Sequence, residues 1–147
     1  MAERSELIAG FLQRAGWAGT RRVPLAADAS FRRYDRLIGR ERRALMMDAP
    51  PPQENVVPFV TLDRHLCDLG YSAPRIFAED IEAGLLLLED FGDDTFTRLL
   101  AGGADEADLY RLATDLLIDL HRRPMADAVP EGLPSYDDNR LIDEAAL

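Results

Sequence analysis

The leucines Leu85, Leu86, Leu87 and Leu88 stand between Gly84 and the acidic turn Glu89-Asp90-Phe91-Gly92-Asp93. A short unbroken apolar run bounded by turn residues predicts a strand buried on both faces. Other apolar positions follow helical or alternating spacing. Leu7, Ile8, Phe11 and Leu12 share one face of a helix expected over 5–15, which Gly16 stops. Residues 20–26 read as a short strand, and Pro24 favours a sheet edge. From Ser30 onward Phe31, Arg33, Asp35 and Leu37 alternate with Arg32, Tyr34 and Arg36. Gly39 then signals a turn, and 44–48 is a second apolar run, so a β-hairpin is expected. Ala49-Pro50-Pro51-Pro52 ends its second strand, because proline cannot donate to a ladder.

A helix is expected over 56–69, with Phe59, Leu62, Leu66 and Leu69 on its apolar face, Pro58 in its first turn and Gly70 closing it. Residues 75–78 and 85–88 read as two strands joined by the loop Glu79-Asp80-Ile81-Glu82. Thr95 caps a short helix ending near Gly102-Gly103. Asp105 caps a longer one striped by Leu109, Leu112, Ala113, Leu116, Leu117 and Leu120 and stopped by Pro124. Residues 125–140 read as an irregular connection, with a last helix from about Asn139. Helix, strands, helix, strands and then helices alone give an α+β fold: an antiparallel sheet carrying one helix, followed by helical material.

Composition narrows the function classes. The 147 residues suit one domain, and 47% hydrophobic content can build a core. There is no run of 18 apolar residues, and Met1-Ala2-Glu3-Arg4-Ser5-Glu6 lacks the pattern of a signal peptide. Cys67 is the only cysteine, and His65 and His121 are isolated, so no zinc centre is expected and a cytoplasmic protein is the simplest reading. The net charge is −10, unevenly spread: residues 1–50 carry ten arginines against six acids, and the remainder seven against twenty-one. General binding to nucleic acid or to an anionic membrane is disfavoured, while the basic N-terminal third can meet a small anion such as a nucleotide phosphate. All 17 basic residues are arginine. Without lysine there is no Walker A loop and no lysine Schiff base.

Three stretches in order carry a family resemblance: Ala27-Asp28-Ala29-Ser30-Phe31-Arg32-Arg33-Tyr34, then Met47-Asp48-Ala49-Pro50-Pro51, then Leu86-Leu87-Leu88-Glu89-Asp90-Phe91-Gly92-Asp93. Together they resemble the aminoglycoside phosphotransferase family, whose fold is kinase-like, and within it the bacterial anomeric sugar kinases that act on N-acetylmuramate and N-acetylglucosamine. The resemblance implies a nucleotide-binding small lobe with its hinge over 1–92 and the start of a helical lobe over 93–147. It implies ATP and Mg2+ as cofactors of a full-length member, and a sugar or amino sugar as substrate. The turn holding Asp28, Ala29 and Ser30 would cover the phosphates through backbone N–H groups and the Ser30 hydroxyl. The family pattern has glycine at Ala27 and an aromatic at Asp35. Glu89, Asp90 and Phe91 would form the hinge, with the Glu89 carbonyl and Phe91 N–H pairing with adenine. Asp93 and Asp94 would hold a sugar or ribose hydroxyl at the cleft mouth.

Such folds use a strand lysine, paired with a helix glutamate, to hold the α and β phosphates. Here that strand offers methionine. Arg33 or Arg32 is the candidate replacement, with Glu54 or Asp63 as the acidic partner. The H-x-D-x-x-x-x-N catalytic loop is missing as well. In His121-Arg122-Arg123-Pro124, Arg123 occupies the aspartate position and Ala128 the asparagine position, and His121 reads as a helix-terminal residue. Asp137-Asp138-Asn139 reads as a turn and helix cap. The chain is therefore expected to be inactive alone, an N-terminal part of a kinase that self-associates through unpaired helices. The alternative is a non-catalytic binding module on the same fold.

Overall fold

The leucine run at 85–88 forms an interior strand of the sheet, buried on both faces. The computed structural model describes residues 2–26, 30–133 and 135–145. Strands β1 (Arg21–Pro24), β2 (Arg33–Ile38), β3 (Arg43–Asp48), β4 (Ile76–Asp80) and β5 (Leu85–Leu88) form one antiparallel sheet in the order β1-β2-β3-β5-β4. Pro24 ends the edge strand, as its missing N–H requires. Helix α1 (Ala2–Arg14) precedes the sheet, and α2 (Val57–Asp68) lies between β3 and β4.

One departure from expectation concerns the helices on the sheet. A single covering helix was expected, and two are found, one on each face. Side chains alternate along a strand, so Leu85 and Leu87 pack with Ile8, Phe11 and Leu12 of α1 and with Trp17, Leu37 and Met46. Leu86 and Leu88 pack with Val56, with Val60 of α2 and with Met47. All four leucines are at most 3% exposed, and each contributes about 1.5–3 kcal/mol of burial. A strand apolar at both parities needs cover on both sides. On the α1 side, the guanidinium of Arg42 stacks over Trp17 at 4.1 Å, and Arg4 Nη2 donates to Asp48 Oδ1 at 2.6 Å, tying α1 to β3.

The helical segment comprises α3 (Phe96–Ala101), α4 (Glu106–Arg122), α5 (Met125–Ala128) and α6 (Asp138–Ala145). The expected caps are present: Thr95 Oγ1 accepts the Arg98 N–H at 3.4 Å, and Asp105 Oδ1 accepts the Asp108 N–H at 2.9 Å. The connection read as irregular contains α5, a single turn. No residue of α4 is buried, and Leu112, Leu116 and Leu117 of its stripe are 63%, 50% and 53% exposed. The segment is fastened to α2 and to the residues that follow it. Tyr71 Oη donates to Asp119 at 2.5 Å, Arg123 Nε donates to Tyr71 Oη at 2.9 Å, and His65 Nε2 donates to the Ala128 carbonyl at 3.1 Å. Arg123, at the position of a catalytic aspartate, is thus a structural tie. His121 Nδ1 donates to the Leu117 carbonyl of its own helix at 2.7 Å, in keeping with a helix-terminal role.

Candidate functional site

The alternation of β2 decides which arginines can act together. Leu37 belongs to the α1-side core and Tyr34 packs against the α2-side core. Arg33 and Asp35 therefore share the α1 face, and Arg36 shares the α2 face with Tyr34. Arg33 lines a cavity of about 610 Å³ against α1, together with Arg4, Arg22, Asp35 and Asp48. Arg32, one residue before β2, turns toward the segment leading into α2, where its Nε donates to Glu54 Oε2 at 3.0 Å. Burial disfavours the Arg32 cation, but the hydrogen bond and charge of Glu54 outweigh it and raise its pKa. The same carboxylate accepts the Phe31 N–H at 3.2 Å through Oε1. Glu54 thus anchors the end of the turn that precedes β2.

Of the two acids open as partner, the structure selects Glu54. Asp63 is only 6% exposed, and its Oδ1 has no hydrogen-bond partner. Burial pushes its carboxyl above the ordinary carboxylate range, an effect Arg64 partly offsets. Met46 and Met47 of β3 are buried on opposite faces, Met46 at the wall of the cavity against α1 and Met47 in the α2-side core. Asp28 and Ala29, with Ala27, lie outside the described residues. Ser30 Oγ accepts the Arg32 N–H at 3.2 Å.

At the exit of β5 the backbone comes free of the sheet. The last ladder-like bond runs from Glu89 N–H to the Arg75 carbonyl at 2.9 Å, and the Glu89 side chain turns back to accept the Arg75 N–H at 3.2 Å. Among the described residues, the Glu89 carbonyl and the Phe91 N–H have no hydrogen-bond partner. Phe91 is 59% exposed. The Asp90 side chain is 1% exposed and forms an ion pair with Arg36. Asp93 is shared between Arg36 Nη1 at 2.9 Å and Arg98 Nη1 at 3.6 Å. Asp94 is exposed and, among the described residues, forms no ion pair.

The site residues therefore divide into two groups. Glu89 and Phe91 present open backbone groups beside the engaged acids Asp90 and Asp93. Arg32 stands with Ser30 at the preceding turn, and Arg33 faces away. Among the described residues there is no cluster of three or more His, Cys, Asp or Glu able to hold a metal, and no helix is long and apolar enough to cross a membrane. Sequence reasoning missed Arg36, whose partners lie 54 and 57 positions away. Its alternation with Arg33 gave its face but not its partner.

Comparison with known proteins gives the lineage of this arrangement. Residues 21–147 match the model of the APH phosphotransferase enzyme family. An N-acetylmuramate/N-acetylglucosamine kinase of Pseudomonas aeruginosa is 44% identical over 126 residues, which covers 85% of this chain and 36% of that protein. Kinases of the same description match from Pseudomonas putida, 46% identical over 123 residues (83% and 34%), and from Caulobacter vibrioides, 35% identical over 172 aligned residues (95% and 47%). The chain thus spans between about a third and a half of the length of these relatives. With its five-stranded sheet and following helices, the chain belongs to the phosphotransferase enzyme family.

Proposed function

We propose that this chain provides the nucleotide-binding part of an ATP-dependent kinase acting on an amino sugar, with the nucleotide lobe and hinge over 1–92 and the beginning of a second lobe over 93–147. One observation carries the reading. The Glu89 carbonyl and the Phe91 N–H lie two residues apart at the exit of a fully buried strand, and both are unpartnered. An extended chain turns groups at that spacing to one side. An acceptor and a donor side by side match the amino group and ring nitrogen of adenine. Unmade backbone bonds are costly when covered, which favours a ligand that completes both.

The phosphates then run toward Ser30 and Arg32. Arg32, held by Glu54, takes the part of the absent lysine and contributes a charge-assisted bond to a phosphate oxygen. ATP supplies the phosphoryl group for transfer. The chain's own residues bind the base, hold the phosphate end and leave Asp94 as the unengaged carboxylate for a hydroxyl. Among the described residues no three His, Cys, Asp or Glu side chains cluster to hold a metal. The sugar follows from the relatives, which are kinases of N-acetylmuramate and N-acetylglucosamine by description.

The test is transfer from ATP to either sugar by the protein as its gene encodes it, beside the 147-residue chain alone. Phosphorylated sugar is expected from the former. The chain alone, which lacks the H-x-D-x-x-x-x-N pattern, should bind nucleotide without turnover. Sustained sugar-dependent ADP release from the chain alone would overturn this assignment of parts. Absence of nucleotide binding in both would leave the non-catalytic module.

A further inference from the structure

Arg36 is the most heavily engaged side chain near the proposed base site. Its Nη2 donates to Asp90 Oδ1 at 3.1 Å and to the Gly92 carbonyl at 3.2 Å, and its Nη1 donates to Asp93 Oδ2 at 2.9 Å. Its Nε lies 2.8 Å from Asp90 Oδ2, off the line of a hydrogen bond. Asp90 Oδ1 also accepts the Gly92 N–H at 2.9 Å. One guanidinium from β2 therefore reaches three successive features of the turn after β5. Both backbone groups of Gly92 are occupied, and Glu89 is held from the other side through its N–H to Arg75. Phe91 sits between two fixed neighbours with its own N–H open.

A buried ion pair is a weak source of net stability, because desolvation offsets most of its attraction. Arg36 is 13% and Asp90 1% exposed at the side chain. The bidentate, planar fork of arginine fixes direction as well as distance. These features suit a geometric role better than a stabilising one.

We propose that Arg36 is a positioning residue for the nucleotide base: it clamps the turn over 90–93 to β2 and so keeps the Phe91 N–H turned to the ligand. The proposal rests on the hinge reading given above. Arg36 touches the turn and not the phosphates, so its loss weakens adenosine and ATP by one common factor. That behaviour separates it from Arg32, whose loss affects only the phosphorylated ligand.

The test uses the protein as its gene encodes it, with dissociation constants for adenosine and ATP and thermal unfolding measured on each variant. The double variant Arg36→Met/Asp90→Asn removes the ion pair without leaving a bare buried charge, and the asparagine oxygen still accepts the Gly92 N–H. Both ligands are expected to weaken about ten-fold, the worth of roughly one hydrogen bond. Arg36→Lys keeps the charge without the fork and should recover part of the affinity. Lowered thermal stability with unchanged adenosine affinity would make Arg36 purely structural and overturn the proposal. If the wild-type protein itself fails to bind adenosine, the hinge reading falls first and this proposal with it.

Discussion

Replacing Gly84 with alanine probes the entry to β5, the strand buried on both faces. Gly84 has φ +65°, and a Cβ built there would lie 2.0 Å from the Ala49 carbonyl oxygen, 3.1 Å from the Ala49 carbonyl carbon and 3.1 Å from Pro51 Cδ. The same residue accepts the Ala49 N–H at 2.9 Å, so the two segments are already tied by their backbones. Left-handed backbone costs an alanine about 1 kcal/mol. A carbon and an oxygen ordinarily rest about 3.3 Å apart, so the chain at Ala49 must move by about 1.3 Å, and no rotamer can relieve the contact. That displacement breaks the Ala49–Gly84 bond, at about 1 kcal/mol, and strains packing by about 1–3 kcal/mol. The expected loss for Gly84→Ala is therefore about 3–5 kcal/mol. Gly16 is the control: its φ is +74° and a Cβ there meets nothing within 4 Å, so Gly16→Ala should lose only about 1 kcal/mol. Urea denaturation followed by circular dichroism, with the slope checked for constancy, measures both. Equal losses at the two glycines would refute the steric argument.

Other perturbations separate the remaining parts of the account. Arg32→Ala should weaken ATP about ten- to a hundred-fold, the worth of a charge-assisted bond, and leave adenosine unchanged. Arg33→Ala should change neither, and calorimetric titration of both ligands checks the pair. The exposed stripe on α4 should make the 147-residue chain self-associate. Leu112→Gln/Leu116→Gln should reduce that association in sedimentation velocity, whereas a monomeric wild type would contradict it. Burial raises the folded pKa of Asp63, so the folded state holds an extra proton. The stability this confers is full below the unfolded carboxylate pKa and is lost as pH rises through the folded value. Asp63→Asn should therefore match wild type at low pH and exceed it by about 1 kcal/mol at pH 7. A difference independent of pH in paired urea titrations would contradict that sign.

Much of the fold was legible because local rules acted without opposition. The leucine run at 85–88 was apolar at both parities, which required cover on both faces. The period of two through 31–37 gave the hairpin and separated Arg33 from Arg36. Thr95 and Asp105 stood where caps belong. The illegible parts depended on distant pairings. Periodicity showed that Arg32 and Arg33 point opposite ways, but not which face carries α2. Glu54 and Asp63 were equal candidates by spacing, and only packing put Asp63 in the interior and Glu54 beside the turn. Asp90, read as a hinge residue, gave no sign that Arg36, 54 positions earlier, would neutralise it. The short helix α5 escaped notice because a single turn has too few residues to show a period.

The central claim is that the backbone at Glu89 and Phe91 pairs with adenine. Its most direct test is the amide resonance of Phe91 in 15N-labelled protein titrated with adenosine, which has no phosphates to bind elsewhere. The account predicts that the Phe91 amide moves downfield as its N–H gains an acceptor, and that it saturates with the same dissociation constant as the calorimetric titration. Adenosine binding that leaves the Phe91 amide unmoved, or no binding at all, would contradict it.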